Sequence, residues 1–439
     1  MGKLELKRTL NLFDATAIGI GAIIGAGIFV VLGIAVEYAG PGVIFSMIIA
    51  GTVALFTALS FAELGSAIPK EGGTYEFAYE MISPYFGFLS GSLWLFAQTV
   101  AGTAVSLTLA SYFVGILPFS LPLKVVAVTA ALVLVVLNVL GMKYSAIVNN
   151  ILVVIKIAVL CLFIIIGIFH VNPTNYSQIA PNGIFGILQG AGFVFFAYLG
   201  FGRIAALGEE VENPKITLPL AILLALAASM ILYVVTGFVA TGLLNYKLLA
   251  GSYTPIADAA RATGNFAITE AVSIGAIVAT VSVLLTNLLG LSRVSFAIAR
   301  NGQFPKSLAK VHSRFGTPYI SILITGGLMV TLTAVLDLRQ SVAITSVSIL
   351  CTHIILHSSA IRLRKKNTNL KTFKAPLYPL IPCLGLVSCV ILMFSLPSES
   401  WIISAAAVVV SSAYYYYYLV RKRRQQQNAE SMAGQTVAI

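Results

Sequence analysis

Two features of this chain put polar chemistry where an apolar run predicts none. One is Lys156, inside NNILVVIKIAVLCLFIIIG; the other is the glycine set Gly19, Gly21, Gly25 and Gly27 of GIGAIIGAGIF. An ammonium at the centre of an apolar helix costs about 3 kcal/mol on membrane-insertion scales, so such a lysine is a functional residue by default. Lys156 stands about ten residues into its run, about 15 Å along a helix axis, too far for its stem to carry the charge to the surface. Burial opposes its charge and neighbouring carbonyl oxygens favour it, and a lysine held in that balance is able to take and release a proton. The glycines allow three readings. Gly19-x-Gly21-x-x-x-Gly25 is close to a dinucleotide-binding turn, but that motif needs a strand, a turn and a helix, and here the apolar run continues unbroken to Val36. Gly21-x-x-x-Gly25 fits a small-residue packing face. The cluster Gly25-Ala26-Gly27 fits a helix that is built to break. A break in hydrocarbon frees backbone N–H and C=O groups at several kcal/mol each unless something fills them. A zwitterion does so: its carboxylate suits the N–H groups of a half-helix start, and its ammonium suits the carbonyls of a half-helix end.

The elements that must position these residues are membrane helices. The chain has 439 residues, 58% of them hydrophobic and only 10% charged, with mean hydropathy +0.95. Soluble domains carry about 25% charged residues, which excludes a water-soluble globule. Cutting at proline, glycine and charge clusters gives about twelve apolar stretches long enough to cross a bilayer. They run over 12–36, 41–66, 84–115, 122–141, 146–170, 183–208, 216–243, 268–297, 318–336, 339–361, 376–396 and 399–420. Alternating them from a cytoplasmic N-terminus leaves only Lys124, Lys247, Arg261 and Arg339 outside and Lys156 within a span; every other lysine and arginine falls inside. The net charge of +12 is therefore a topology signal and predicts no nucleic-acid partner. Both termini are expected in the cytoplasm, with a disordered tail over 425–439. Cys161, Cys351, Cys383 and Cys389 all lie in apolar stretches without paired spacing, so no disulfide framework is implied.

A broken first span predicts a second broken span five places later, the mark of an inverted five-plus-five repeat with the substrate between the halves. The sixth stretch, GILQGAGFVFFAYLGFGRIAALGEEVENP, carries Gly200 and Gly202 in its middle among Phe195, Phe196, Tyr198 and Phe201. The fold class expected is an all-α polytopic membrane protein with broken helices 1 and 6.

At these residues the chain resembles the amino acid–polyamine–organocation (APC) transporters. GIGAIIGAGIFVVLG and FFAYLGFGRIAALGEEVENPK carry the likeness, with ELGSAIPKEGGTYEFAYE, ARNGQFPKSLAKVHSRFGTP and the approach to KAPLYPLIP, over residues 10 to 396. It is strongest toward the cationic amino-acid-transporter branch and weak on substrate. The resemblance implies a secondary amino-acid transporter of the cell membrane, with a core over 10–365 in two inverted halves (10–170 and 183–365) and two added spans in 376–420. It implies that the substrate carboxylate meets backbone N–H groups at Ala26 and Gly27, with Gly25 beside them in the substrate site. Its amino group would meet carbonyls at Ile23, Phe196 and Leu199, and Phe196 would be an aromatic gate over it. Lys156 would stand where sodium-coupled relatives of the fold hold sodium, bonding carbonyls near Ala22 and Gly25. Asn287, Thr103 and Ser106 are expected to face the substrate's side chain. Where many relatives carry an acid after the Gly200-Phe201 pair, this chain has Gly202 and then Arg203.

Of the acids, Glu63 lies near the end of a span core, and Asp14 and Asp337 lie near span ends. This favours proton coupling or exchange over sodium. A polyamine or amine exchanger, and an amino-acid sensor that does not transport, remain open. No catalytic constellation or cofactor motif is present, so no enzyme is expected. Cys351, His353 and His357 in CTHIILH are too few for a metal site without partners elsewhere, so none is assigned. EEVEN after the sixth stretch reads equally as an inner gate or a solvated surface.

Overall fold

The computed structural model describes residues 10–68, 72–141, 146–205, 211–312, 315, 317–366 and 372–437; side chains of 146–149, Arg203, Ala205, Lys306 and 422–437 are outside that description. Lys70, Lys143, Arg314, Lys371, Glu209 and Glu210, used above for topology or gating, also lie outside the described residues. The described chain is helical, with no strand beyond an isolated bridge between Leu10 and Val211. Its helices are α1 (Leu12–Ile23), α2 (Ala26–Ala39), α3 (Val43–Ala67), α4 (Thr74–Met81), α5 (Pro84–Gly115), α6 (Leu123–Val139) and α7 (Ala146–Gly167). There follow α8 (Gly183–Val194), a 3-10 segment over Phe195–Phe201, α9 (Gly202–Ala205), α10 (Pro214–Leu243) and the short α11 (Tyr246–Leu249) and α12 (Pro255–Arg261). The last five are α13 (Phe266–Arg300), α14 (Tyr319–Val335), α15 (Leu338–Lys366), α16 (Leu380–Ser395) and α17 (Ser398–Val437).

Among the described residues, eight helical stretches are long and apolar enough to cross a membrane, and four shorter apolar helices, α1, α6, α14 and α16, accompany them. Ends are set locally. Asn11 and Asp14 form a capping box at α1, Ser83 caps α5 ahead of Pro84, and Asn265 accepts from Ala267 and Ile268 at α13. The last helix continues to Val437, through the stretch where the sequence predicts a disordered tail. Gln, Ala, Glu and Met there permit helix, and the span before them supplies the nucleus.

The bundle is apolar outward as well as inward, as a bilayer solvent demands. On α7, Ile151 and Val154 are exposed while Val153, Lys156, Leu160 and Phe163 are buried. Positions 153, 156, 160 and 163 follow helical spacing, so the lysine lies on the inward face of α7. At the end where α1 begins, Glu63 of α3 pairs with Arg364 of α15 and accepts the Ala375 N–H at 3.1 Å. Arg364 also lies 4.6 Å from the Tyr378 ring. Arg300, Arg362, Lys365 and Lys366 gather at the same end, which we call the basic end.

Candidate functional site

The chain passes from α1 to α2 through Ile24 and Gly25, which are not helical. Gly25 is the N-cap of α2 and has no side chain to satisfy the first amides, so the start of α2 is uncapped. Two of the carbonyls closing α1 receive side-chain donors. The Lys156 ammonium donates to the Gly21 carbonyl at 3.3 Å and to the Ser282 hydroxyl of α13 at 3.1 Å. The Gly21 carbonyl adjoins Ala22, near which the resemblance expects the ammonium to bond. Gly200 approaches the next carbonyl closely: an added Cβ there would sit 2.1 Å from the Ala22 oxygen. Tyr233 of α10 donates to the Ile23 carbonyl at 2.7 Å and stands 3.2 Å from the Ala197 carbonyl, tying the two interrupted segments together.

The sixth segment does not unwind. From Phe195 to Phe201 it tightens into a 3-10 helix and resumes at Gly202. Its aromatics divide by direction. Phe195 and Phe201 pack on His353 of α15, Phe201 also on Phe61, and Tyr198 donates to the Met47 carbonyl at 3.2 Å. Phe196 alone of the four lines the cavity described next.

A cavity of about 50 Å³ lies at the break, walled by Ile23, Gly25, Ala26, Gly27, Phe196, Leu199, Asn287, Gln98, Val283 and their neighbours. Every candidate substrate residue is thus in its wall except Thr103 and Ser106. Thr103 is buried against α14 instead, donating to the Met329 carbonyl at 3.3 Å. Helical spacing explains it: Gln98, Ala101 and Val105 put one face of α5 on the cavity, and position 103 points elsewhere. Ser106 is also absent from that wall and bonds back to the Gly102 carbonyl at 2.8 Å. Gly27 serves packing as well as the wall, since an added Cβ would stand 2.5 Å from the Ala197 Cα.

A second cavity, of about 260 Å³, adjoins the first and shares Gln98, Leu199 and Asn287 with it. Ile18, Gly72, Thr74, Gly202 and Arg293 among its walls place it toward the basic end. Toward the opposite end, Arg339 of α15 pairs with Glu37 of α2, and Tyr38 lies 5.7 Å from that guanidinium and stacks on Phe193. The larger cavity thus extends the site toward the basic end, and the Arg339–Glu37 pair lies toward the other. Gly202, where relatives were expected to carry an acid, has room for a side chain: an added Cβ would make only ordinary contact with Phe61 at 3.4 Å.

Sequence reading missed Gln98, Tyr233 and Ser282. Each is an uncharged hydrogen-bonding side chain in an apolar run, without the charge that made Lys156 conspicuous. Away from the site, His357 pairs with the Ser60 and Thr57 hydroxyls at 2.9 and 3.3 Å, and the described residues hold no cluster of three or more metal-ligating side chains.

This arrangement, a multi-pass helical bundle with a site at an interrupted helix, matches what the comparisons with known proteins find. The amino acid permease family model matches residues 14–420, and the chain belongs to that family. It is 34% identical over 418 residues to a methylthioribose transporter of Bacillus subtilis, covering 91% of this chain and 90% of that one. It is also 34% identical over 415 residues to the branched-chain amino acid permease BcaP of the same organism (90% and 89% covered). The cationic amino acid transporter 4 of Mus musculus is 32% identical over 409 residues, covering 87% of this chain and 62% of that one. The protein is thus an amino acid transporter of the APC class, a multi-pass membrane protein and not an enzyme.

Proposed function

We propose that this permease carries an amino acid through the cavity at the α1–α2 break by alternating access, driven by protons or by exchange. The observation that carries the reading is the uncapped start of α2 in the cavity wall, beside an α1 end whose Gly21 and Ile23 carbonyls already have side-chain donors. The substrate carboxylate takes the amides of Ala26 and Gly27, where the helix dipole favours negative charge. Its ammonium is left the acceptors of the 3-10 segment near Phe196 and Leu199, and Phe196 covers it. Lys156 handles the proton: its link between Gly21 and Ser282 joins α1 to α13, and losing the charge would loosen that link.

In this reading the helices cross the cell membrane twelve times, with α1 and α2 together as the first span, in two inverted halves over 10–170 and 183–365, followed by two added spans. Both termini are cytoplasmic, the basic end faces the cytoplasm, and the conformation described is open inward. An amine or polyamine substrate is disfavoured because no carboxylate stands in the first cavity's wall. The three relatives' names point to different cargoes, so the side chain is not carried over from any one of them.

The test is uptake by the purified protein in liposomes under a proton gradient, a sodium gradient, or internal substrate alone, using labelled amino acids and polyamines. Uptake of amino acids under the proton gradient or by exchange is expected. Binding without flux under any condition would make the protein a sensor and overturn the transport reading.

A further inference from the structure

The cavity wall on α5 and α13 is a polar subsite built from uncharged amides. Asn287 is 2% exposed, and its amide nitrogen donates to the Gln98 carbonyl at 2.8 Å. A carbonyl oxygen only accepts, so the Asn287 atom facing it has to be the NH₂ group. That fixes the other atom: Oδ1 is turned away and has no hydrogen-bond partner although it is buried. Gln98 lines both cavities, and its side-chain amide has no partner among the described residues. A buried, unsatisfied acceptor carries a penalty that a native protein tolerates where a ligand relieves it.

The position of this acceptor says which part of a ligand meets it. Val283, one helical turn before Asn287, packs at the break, where an added Cβ on Gly25 would stand 2.3 Å from its Cγ2. Asn287 lies about 6 Å further along α13, beside the second cavity. A zwitterion seated at the break reaches that level only with its side chain. The rest of the wall there is small and apolar, Ala101, Val105 and Val283, and no charged side chain lines the first cavity. Within that cavity either sign of side-chain charge would be desolvated without a partner; Arg293 lines only the second cavity.

Resting on the transport reading above, we propose that Asn287, oriented by the Gln98 carbonyl, selects amino acids whose short uncharged side chain carries a hydrogen-bond donor, a hydroxyl or a carboxamide. A site that hydrogen-bonds such a group penalises the isostere lacking it, because its own acceptor is then left unpaired. Valine and threonine differ only by that exchange, and leucine and asparagine nearly so.

The experiment is competition for uptake in liposomes holding the wild-type protein, threonine against valine and asparagine against leucine. Threonine and asparagine are expected to compete about tenfold or more better than their apolar partners. In Asn287→Leu that advantage is expected to vanish or invert. Uptake of amino acids in which valine equals or exceeds threonine would overturn the selectivity while leaving transport intact. No amino acid uptake at all would overturn both. The wild-type comparison decides the matter even where the variant fails to fold.

Discussion

In the first interrupted segment the helix stops at Ile23 and restarts at Ala26, whereas the sixth keeps its hydrogen bonds by tightening to a 3-10 helix over Phe195–Phe201. Both are rich in glycine, and the glycines do different work. Gly25 sits at the gap itself. Gly27 and Gly200 are where the two segments touch: the missing Cβ of Gly27 would fall on Ala197, and that of Gly200 on the Ala22 carbonyl. The difference teaches that glycine density marks backbone proximity, and that the break is a separate feature, confined to Ile24 and Gly25. The packing face and the broken helix, rivals as readings of GIGAIIGAGIF, coexist in one segment.

The largest effect that would break this comparison is Gly200→Ala. The new methyl meets backbone that cannot step aside, and we expect a loss of about 3 kcal/mol or more, seen as a fall in melting temperature in detergent and loss of transport. Gly202→Ala, two residues on, meets only Phe61 at ordinary contact distance and is expected to cost less than about 1 kcal/mol. Equal melting temperatures for the two variants would refute the close-approach account.

Lys156→Met comes next. It keeps the bulk on the buried face of α7 and removes the ammonium that joins Gly21 to Ser282. Uptake that responds to an imposed proton gradient in the wild type is expected to become independent of it, with residual exchange at about a tenth of the rate or less. An unchanged gradient response would remove Lys156 from coupling. The smallest effect is expected from Thr103→Val, since that hydroxyl faces the Met329 carbonyl and not the cavity. Substrate affinity should stay within about twofold, at a stability cost of about 1 kcal/mol. A tenfold loss of affinity measured by competition would return Thr103 to the site.

Much of the fold and part of the site were legible in the sequence, for identifiable reasons. Apolar length and glycine clusters are local signals, so the helices, the gap at Gly25 and the isolation of Lys156 could be read directly. The partners could not. That Tyr233 reaches Ile23, or that Ser282 meets Lys156, depends on how α10 and α13 are rotated against α1 and α7. In a bundle apolar on all sides, hydropathy carries little information about rotation. The same blindness misplaced Thr103, and it left Gln98, five residues away on the same helix, unnoticed.

The central claim is that recognition is unequal at the break: the amides of α2 are free for a carboxylate, while Lys156 and Tyr233 already hold carbonyls of α1. Competition in liposomes among one transported amino acid, the amine lacking its carboxylate and the acid lacking its amino group measures this directly. Removing the carboxylate is expected to weaken competition about a hundredfold or more, and by more than removing the amino group does. An amine that competes as well as the amino acid would contradict the account.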